Sequence, residues 1–129
     1  MTLDTSALIA VLFSEPGYLD LVDAMLEADV VRVGPPTLAE TGLVFAGRRA
    51  RPAGRVIDDL IEELGVTVVP FGESEYRLAV DAFARYGRGR HKASLNFGDC
   101  LAYATAVAGR DSLLFVGRDF RHTDVRPAL

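Results

Sequence analysis

Apolar residues recur along the chain in short bursts, and their spacing predicts alternating strands and helices. Met1-Thr2-Leu3 reads as a short first strand. Thr5 to Phe13 carries Ala7, Leu8, Val11 and Leu12 on one face of a 3.6-residue repeat and reads as a helix. Glu15-Pro16-Gly17 breaks it, and proline suits the opening of a second helix. That helix runs towards Ala28, with Leu19, Val22, Met25 and Leu26 expected inward. The β-branched run Val30 to Val33 reads as a buried strand. Pro35-Pro36 ends it, and Thr37 is expected to open a third helix carrying Leu38, Leu43, Val44 and Phe45.

Pro52 to Leu64 reads as a fourth helix, with Val56, Ile57, Leu60, Ile61 and Leu64 at core spacing and Gly65 as its stop. Val66 to Val69 is a third strand. Ser74 to Tyr86 is a fifth helix, with Tyr76, Ala79, Val80 and Phe83 on one stripe. A basic loop, Gly87 to Ser94, leads to a sixth helix from Phe97 to Ala108. Leu113 to Val116 is a fourth strand, and a last short strand is expected near Val125. Short apolar strands alternating with helices predict an α/β fold. Its central sheet has four to five strands, is mostly parallel, and is covered by helices on both faces. Such sheets place their ligand crevice beyond the carboxyl ends of the strands.

Composition narrows this picture modestly. The 129 residues fit one domain spanning 1–129, and a half-hydrophobic, quarter-charged make-up supports an ordinary core. The single Cys100 forms no intramolecular disulfide, and it lies in an apolar run where a small core residue fits. A reducing, cytoplasmic setting is the expectation. No apolar run approaches the ~20 residues a bilayer requires, and the N-terminus lacks the basic region of a signal peptide. The net charge of −4 does not announce a nucleic-acid partner. Its distribution is uneven: residues 1–64 hold five Lys/Arg against eleven Asp/Glu, and residues 65–129 nine against seven. A patchy field of this kind can hold both a cation and a phosphate.

The chemistry concentrates in four acids. Asp4 follows the first strand, and Asp119 lies just past the fourth. Asp99 opens the sixth helix, and Glu40 falls in the first turn of the third. Convergence at the crevice would bring them together. Four neighbouring carboxylates must then bind a cation or take up protons. Oxygen donors of this type suit Mg²⁺ and Mn²⁺, and His91 and His122 have no zinc spacing. Each acid also has a purely structural alternative. Thr37-Leu38-Ala39-Glu40 matches a capping box, and Asp4 can cap the first helix. Asp99 can complement a helix dipole behind an Asn96 cap, and Asp119 can be a turn residue. Asp99 resists dismissal because the helix behind it, Cys100 to Ala108, is uncharged. A carboxylate heading a buried helix needs a partner, and no Lys or Arg lies one turn away.

These residues resemble a known family. Met1-Thr2-Leu3-Asp4-Thr5-Ser6-Ala7-Leu8, Thr37-Leu38-Ala39-Glu40, Gly89-Arg90-His91 leading to Leu95-Asn96-Phe97-Gly98-Asp99-Cys100, and Leu114-Phe115-Val116-Gly117-Arg118-Asp119-Phe120 look like a PIN-domain toxin of the VapC type. The likeness spans nearly the whole chain in the right order. It implies a PIN-like three-layer α/β/α fold. It implies the toxin of a type II toxin–antitoxin system, a Mg²⁺- or Mn²⁺-dependent endoribonuclease acting on structured RNA (tRNA or rRNA). It also implies neutralisation by a VapB-type antitoxin, and a homodimer. Carried over residue by residue, the catalytic, metal-binding acids are Asp4, Glu40, Asp99 and Asp119. Arg118 departs from the small or polar residue common before the last acid, and it is a candidate phosphate contact.

Other features take their place around that site. Arg85, Arg88, Arg90, His91 and Lys92 cluster upstream of Asp99, and Gly87 and Gly89 let the backbone bend close to a ligand. Arg88, Arg90, His91 and Lys92 are therefore candidate RNA contacts, with a solvated surface loop as the alternative. Tyr86, Phe97 and Tyr103 are expected to be core or crevice walls. Leu12, Phe13, Leu43 and Phe45, flanked by Arg48, are the candidate antitoxin or dimer face, with core packing as the alternative. Two competing classes are a phosphatase with an aspartyl nucleophile and a catalytically silent RNA- or protein-binding module. The first wants an Asp at position 6, where Ser6 stands.

Overall fold

The computed structural model describes residues 1–129 and has a four-stranded, wholly parallel sheet. Its strands are β1 (Thr2–Leu3), β2 (Arg32–Val33), β3 (Thr67–Val68) and β4 (Leu113–Leu114), in the order β3-β2-β1-β4. Register is set by Thr2 opposite both Arg32 and Leu113, and by Val33 opposite Val68. The chain steps outward from β1 through β2 to β3 and then returns to the other side of β1 with β4. That reversal puts a topological switch point between β1 and β4, where open α/β sheets leave a crevice. Each strand is shorter than its apolar run. The expected fifth strand is a single bridge, Leu113 to Pro127, since proline cannot donate to a ladder.

Six helices complete the layers: α1 (Thr5–Leu12), α2 (Tyr18–Glu27), α3 (Pro35–Arg49), α4 (Val56–Glu63), α5 (Glu73–Tyr86) and α6 (Phe97–Gly109). The two residues of β4 divide the core between them. Leu113 joins a cluster with Tyr86, Cys100, Tyr103 and Phe120, while Leu114 joins one with Leu3, Leu8, Leu21, Met25 and Val33. Successive strand side chains point to opposite faces, so one apolar cluster lies on each side of the sheet. The architecture is the expected α/β/α sandwich.

Several inward faces differ from the sequence reading. In α2 the buried stripe is Leu21 and Met25, supported by Ala24 and Ala28, while Leu19 and Leu26 are exposed. Helix α2 packs chiefly on α1, and the face it turns inward is the one that carries Leu21 and Met25. In α5 the buried residues are Ala79, Ala82 and Tyr86, a small-residue stripe, and Tyr76, Val80 and Phe83 lie outside it. Helix α4 starts at Val56 rather than Pro52 and buries no residue fully. Helix α3 starts earlier than expected, with Gly34 as N-cap and Pro35 in the first helical position. Proline is preorganised there and has no N–H to leave unpaired. Thr37 is therefore inside the helix, buried, and caps nothing.

Candidate active site

Asp4 leaves the end of β1 and caps α1. Its Oδ2 accepts the Ser6 backbone N–H at 2.9 Å and the Ser6 hydroxyl at 2.5 Å. Ser6 Oγ in turn accepts the Val116 N–H at 2.9 Å, which ties the β1–α1 junction to the segment leaving β4. Asp4 is 3% exposed, yet its Oδ1 has no hydrogen-bond partner. Buried polar atoms are nearly always paired, so this oxygen marks a place built to receive something. Burial outweighs the Ser6 hydrogen bonds and raises the Asp4 carboxyl above its ordinary range, with Glu40 adding repulsion.

Glu40 comes from the second turn of α3. Its Oε2 accepts the Thr5 hydroxyl at 2.6 Å. The capping-box alternative for Glu40 fails, because α3 begins at Pro35 and the side chain is committed to Thr5. The carboxylate lies over the first turn of α6: a Cβ on Gly98 would overlap both of its oxygens. Glycine at 98 is thus required by close approach. Asp99 follows, in a true capping box. Asn96 Oδ1 accepts the Asp99 N–H at 3.0 Å, and Asp99 Oδ2 accepts the Asn96 N–H at 2.8 Å. For Asp4 and Asp99 the structural and chemical readings coexist, since each uses one oxygen as a cap.

Burial lifts Asp99 to a pKa of about 6 against the pull of the Asn96 N–H, and Asp4, Asp119 and Glu40 all push it further up. Asp99 therefore feels the other three acids together. Asp119 is exposed and opens a short 3-10 turn, Asp119–His122. Its neighbour Phe120 anchors that turn in the core against Phe115 at 5.0 Å. None of the four acids has an ion-pair partner. No three acidic, His or Cys side chains are grouped tightly enough to grip a metal as they stand.

The family model for the PIN domain matches residues 1–126. This chain belongs to the PIN-domain family, with the VapC ribonucleases. Ribonuclease VapC28 of Mycobacterium tuberculosis is 45% identical over 130 residues, covering 100% of this chain and 98% of that protein. Among solved structures, M. tuberculosis VapC20, described as a sarcin-ricin loop cleaving toxin, matches with a TM-score of 0.74 at 17% identity. The match covers 98% of each chain. A toxin–antitoxin complex from Klebsiella pneumoniae matches with a TM-score of 0.71 at 17% identity, over 99% of this chain and 97% of that one. At such identity the two structures speak for the fold. The PIN-type architecture read from the sequence is the one observed.

The remaining predicted residues divide. In the Gly87–Ser94 loop, Arg88, Arg90 and Lys92 are exposed, but Arg90 lies over the Phe83 ring at 5.6 Å. His91 turns inward, accepting the Ala93 N–H on Nδ1 at 3.1 Å and packing edge-on to Tyr86 at 5.3 Å. Tyr86 and Tyr103 are core residues as expected, whereas Phe97 is 79% exposed. It borders an apolar cleft of about 340 Å³ with Ala79, Val80, Phe83, Cys100 and Leu101.

Of the candidate partner face, Phe45 is buried, Leu12 and Phe13 are half-buried, and Leu43 is 75% exposed. Arg48 pairs with Glu15 at 2.5 Å and stacks on Phe13 at 5.0 Å. The residues the sequence reading did not single out are Thr5, Ser6 and Gly98. A Thr-Ser pair directly after a strand-end Asp was the available signal for the first two.

Proposed function

We propose that this chain is a Mg²⁺- or Mn²⁺-dependent endoribonuclease, the toxin of a VapB–VapC pair, with Asp4, Glu40, Asp99 and Asp119 as its catalytic acids. The observation that carries the reading is the orphaned Asp4 Oδ1, buried beneath acids that lack any cationic partner. An all-oxygen donor set at a charge-repelling site fits a hard divalent cation. Asp4, Asp99 and Asp119 would hold it directly or through water, and Glu40 would complete the shell or orient the attacking water. A cation bound there supplies charge stabilisation at the phosphoryl oxygen and acidifies water.

The chain's own groups do the positioning. Ser6 fixes the Asp4 carboxylate, the Asn96 backbone fixes Asp99, and Thr5 fixes Glu40. With Oε2 held by Thr5, Oε1 of Glu40 is the oxygen left to accept a proton from water.

The reading extends to a single PIN-like domain over 1–129, a structured RNA substrate (tRNA or rRNA), a VapB-type antitoxin, a homodimer and a cytoplasmic location. The antitoxin is supported by the fold shared with a toxin–antitoxin complex. Pairing of two copies is supported by the exposed Val80 and Phe97 around the apolar cleft of α5 and α6. No helix is long and apolar enough to cross a membrane. Nothing favours a catalytically silent module. Purified protein is to be assayed on total RNA with Mg²⁺ or Mn²⁺, and with EDTA. Cleavage that EDTA stops supports the proposal. Cleavage that survives EDTA, or an Asp99→Asn variant as active as wild type, refutes it.

A further inference from the structure

A second cationic feature lies beside the acids, and the Gly87–Ser94 loop is not part of it. Gly117, Arg118, Arg121 and His122 line a cleft of about 420 Å³ with no apolar or acidic residue in its wall. That volume falls in the ~300–1,000 Å³ range of ligand clefts. Gly117 has φ +113, so the backbone leaving β4 makes a bend that L side chains rarely adopt, and it delivers these residues to the sheet's carboxyl end.

The turn that follows sorts its side chains by period. The Arg121 N–H donates to the Arg118 carbonyl at 3.1 Å, closing one turn of the 3-10 type. Side chains three residues apart then eclipse. Arg118 and Arg121 share one face, Asp119 and His122 the next, and Phe120 is left on the third, buried in the core.

Two arginines stacked on one face repel each other, and like charges at this spacing destabilise a turn. Five arginines of the chain are paired with acids: Arg32 with Asp111, Arg48 with Glu15, Arg55 with Asp59, Arg77 with Glu73, and Arg85 with Asp124. Neither Arg118 nor Arg121 has an acidic partner, and His122 has none either. The wall holds no hydrophobic residue, and arginine forks match the oxygens of a phosphate.

We infer that this cleft is a subsite for an RNA phosphodiester, one that holds the strand next to Asp119 by its backbone and without regard to sequence. The inference rests on the ribonuclease reading for its ligand. It assigns Arg121 and His122 a role in substrate binding and adds a phosphate contact on the turn that carries Asp119 to those expected of the 88–92 loop.

The test is equilibrium binding of a labelled RNA hairpin, in EDTA to prevent cleavage, over a series of salt concentrations. Each phosphate contact contributes about 0.7 to 0.9 to the slope of log K against log salt. Arg121→Ala is expected to reduce the slope by about that amount on RNAs of unrelated sequence. Arg121→Lys restores most of it, and Arg121→Glu weakens binding beyond Ala. In cleavage assays Arg121→Ala raises KM and leaves kcat nearly unchanged, the pattern of a lost uniform contact.

An unchanged slope in Arg121→Ala and in Arg121→Glu, with both variants unfolding at the wild-type temperature, overturns the inference. So does a lysine variant no better than alanine. A wild-type chain that fails to cleave RNA refutes the ribonuclease reading. Because binding is read in EDTA, the slope still decides the subsite separately.

Discussion

Gly98→Ala separates the placement of Glu40 from the stability of the fold. The new Cβ would occupy the space of the Glu40 carboxylate, and the first turn of α6 is fixed by the Asn96–Asp99 box, so the carboxylate is the group that moves. Moving it breaks the 2.6 Å hydrogen bond from Thr5. A hydrogen bond to a charged acceptor is worth about 1.5–3 kcal/mol. Replacing glycine by alanine in a helix returns up to about 1 kcal/mol. The net expectation is a loss of about 1–2 kcal/mol, a fall of roughly 2–7 °C in Tm for a chain of this size.

Activity should suffer far more. A displacement near ~1 Å in a positioned group can cost about 100-fold, so Gly98→Ala should cleave RNA about as poorly as Glu40→Gln. The background provides the sharper check. In a Glu40→Ala chain the obstacle is gone, and Gly98→Ala should turn stabilising by up to about 1 kcal/mol. Urea unfolding of the four chains in this cycle measures the change of sign. Equal destabilisation in both backgrounds, or full activity in Gly98→Ala, would refute the packing argument.

Other perturbations follow from the same geometry. Asp99 titrates near 6 instead of 3.8 because burial and three neighbouring acids disfavour its charge. Between those values the folded chain holds more protons than the unfolded one, so stability falls as pH rises. In EDTA the protein should gain up to about 1 kcal/mol on acidification from neutral pH to about pH 5. A shift to about 6 supplies roughly 1.3 kcal/mol of its full ~3 kcal/mol between pH 7 and pH 5, reduced further by solvent screening of a part-exposed carboxylate. Asp99→Asn should flatten the profile, and a metal-free protein more stable at neutral pH than at pH 5 would contradict this. Midway along α6, Tyr103 donates to Asp124 at 2.6 Å and Arg85 pairs with Asp124 at 2.8 Å, clasping the C-terminal segment. Asp124→Ala should lower Tm by a few degrees, worth about 1 kcal/mol, with cleavage at saturating RNA unchanged.

The layer order and the acids were legible because both follow from strong local patterns. Strand-end Asp4 and Asp119 are fixed by the parallel topology, and Asp99 stands out against the uncharged helix behind it. What the pattern hid was decided by packing. Two apolar stripes compete on α2 and on α5; on α5 the alanine stripe wins because it lets the helix pack closely on α6. Pro35-Pro36 reads equally as a strand end or a helix start, and the choice changes Glu40 from a cap into a group free to reach Thr5. Gly98 stands in a block that carries the family resemblance, but its physical role was not legible, because it is set by a side chain 58 positions away. The inward turn of His91 likewise depends on Tyr86 and Ala93, which no charge pattern announces.

The central claim is that four acids from β1, α3, α6 and the turn after β4 form one cation site. Calorimetric titration of Mn²⁺ into the RNA-free protein, for wild type and for the single variants Asp4→Asn, Glu40→Gln, Asp99→Asn and Asp119→Asn, tests it directly. The account predicts saturable binding by wild type, weakened in all four variants and most in Asp4→Asn, whose buried oxygen is otherwise unpaired. Binding that is absent in wild type, or that persists undiminished in Asp4→Asn and Asp99→Asn, would contradict it.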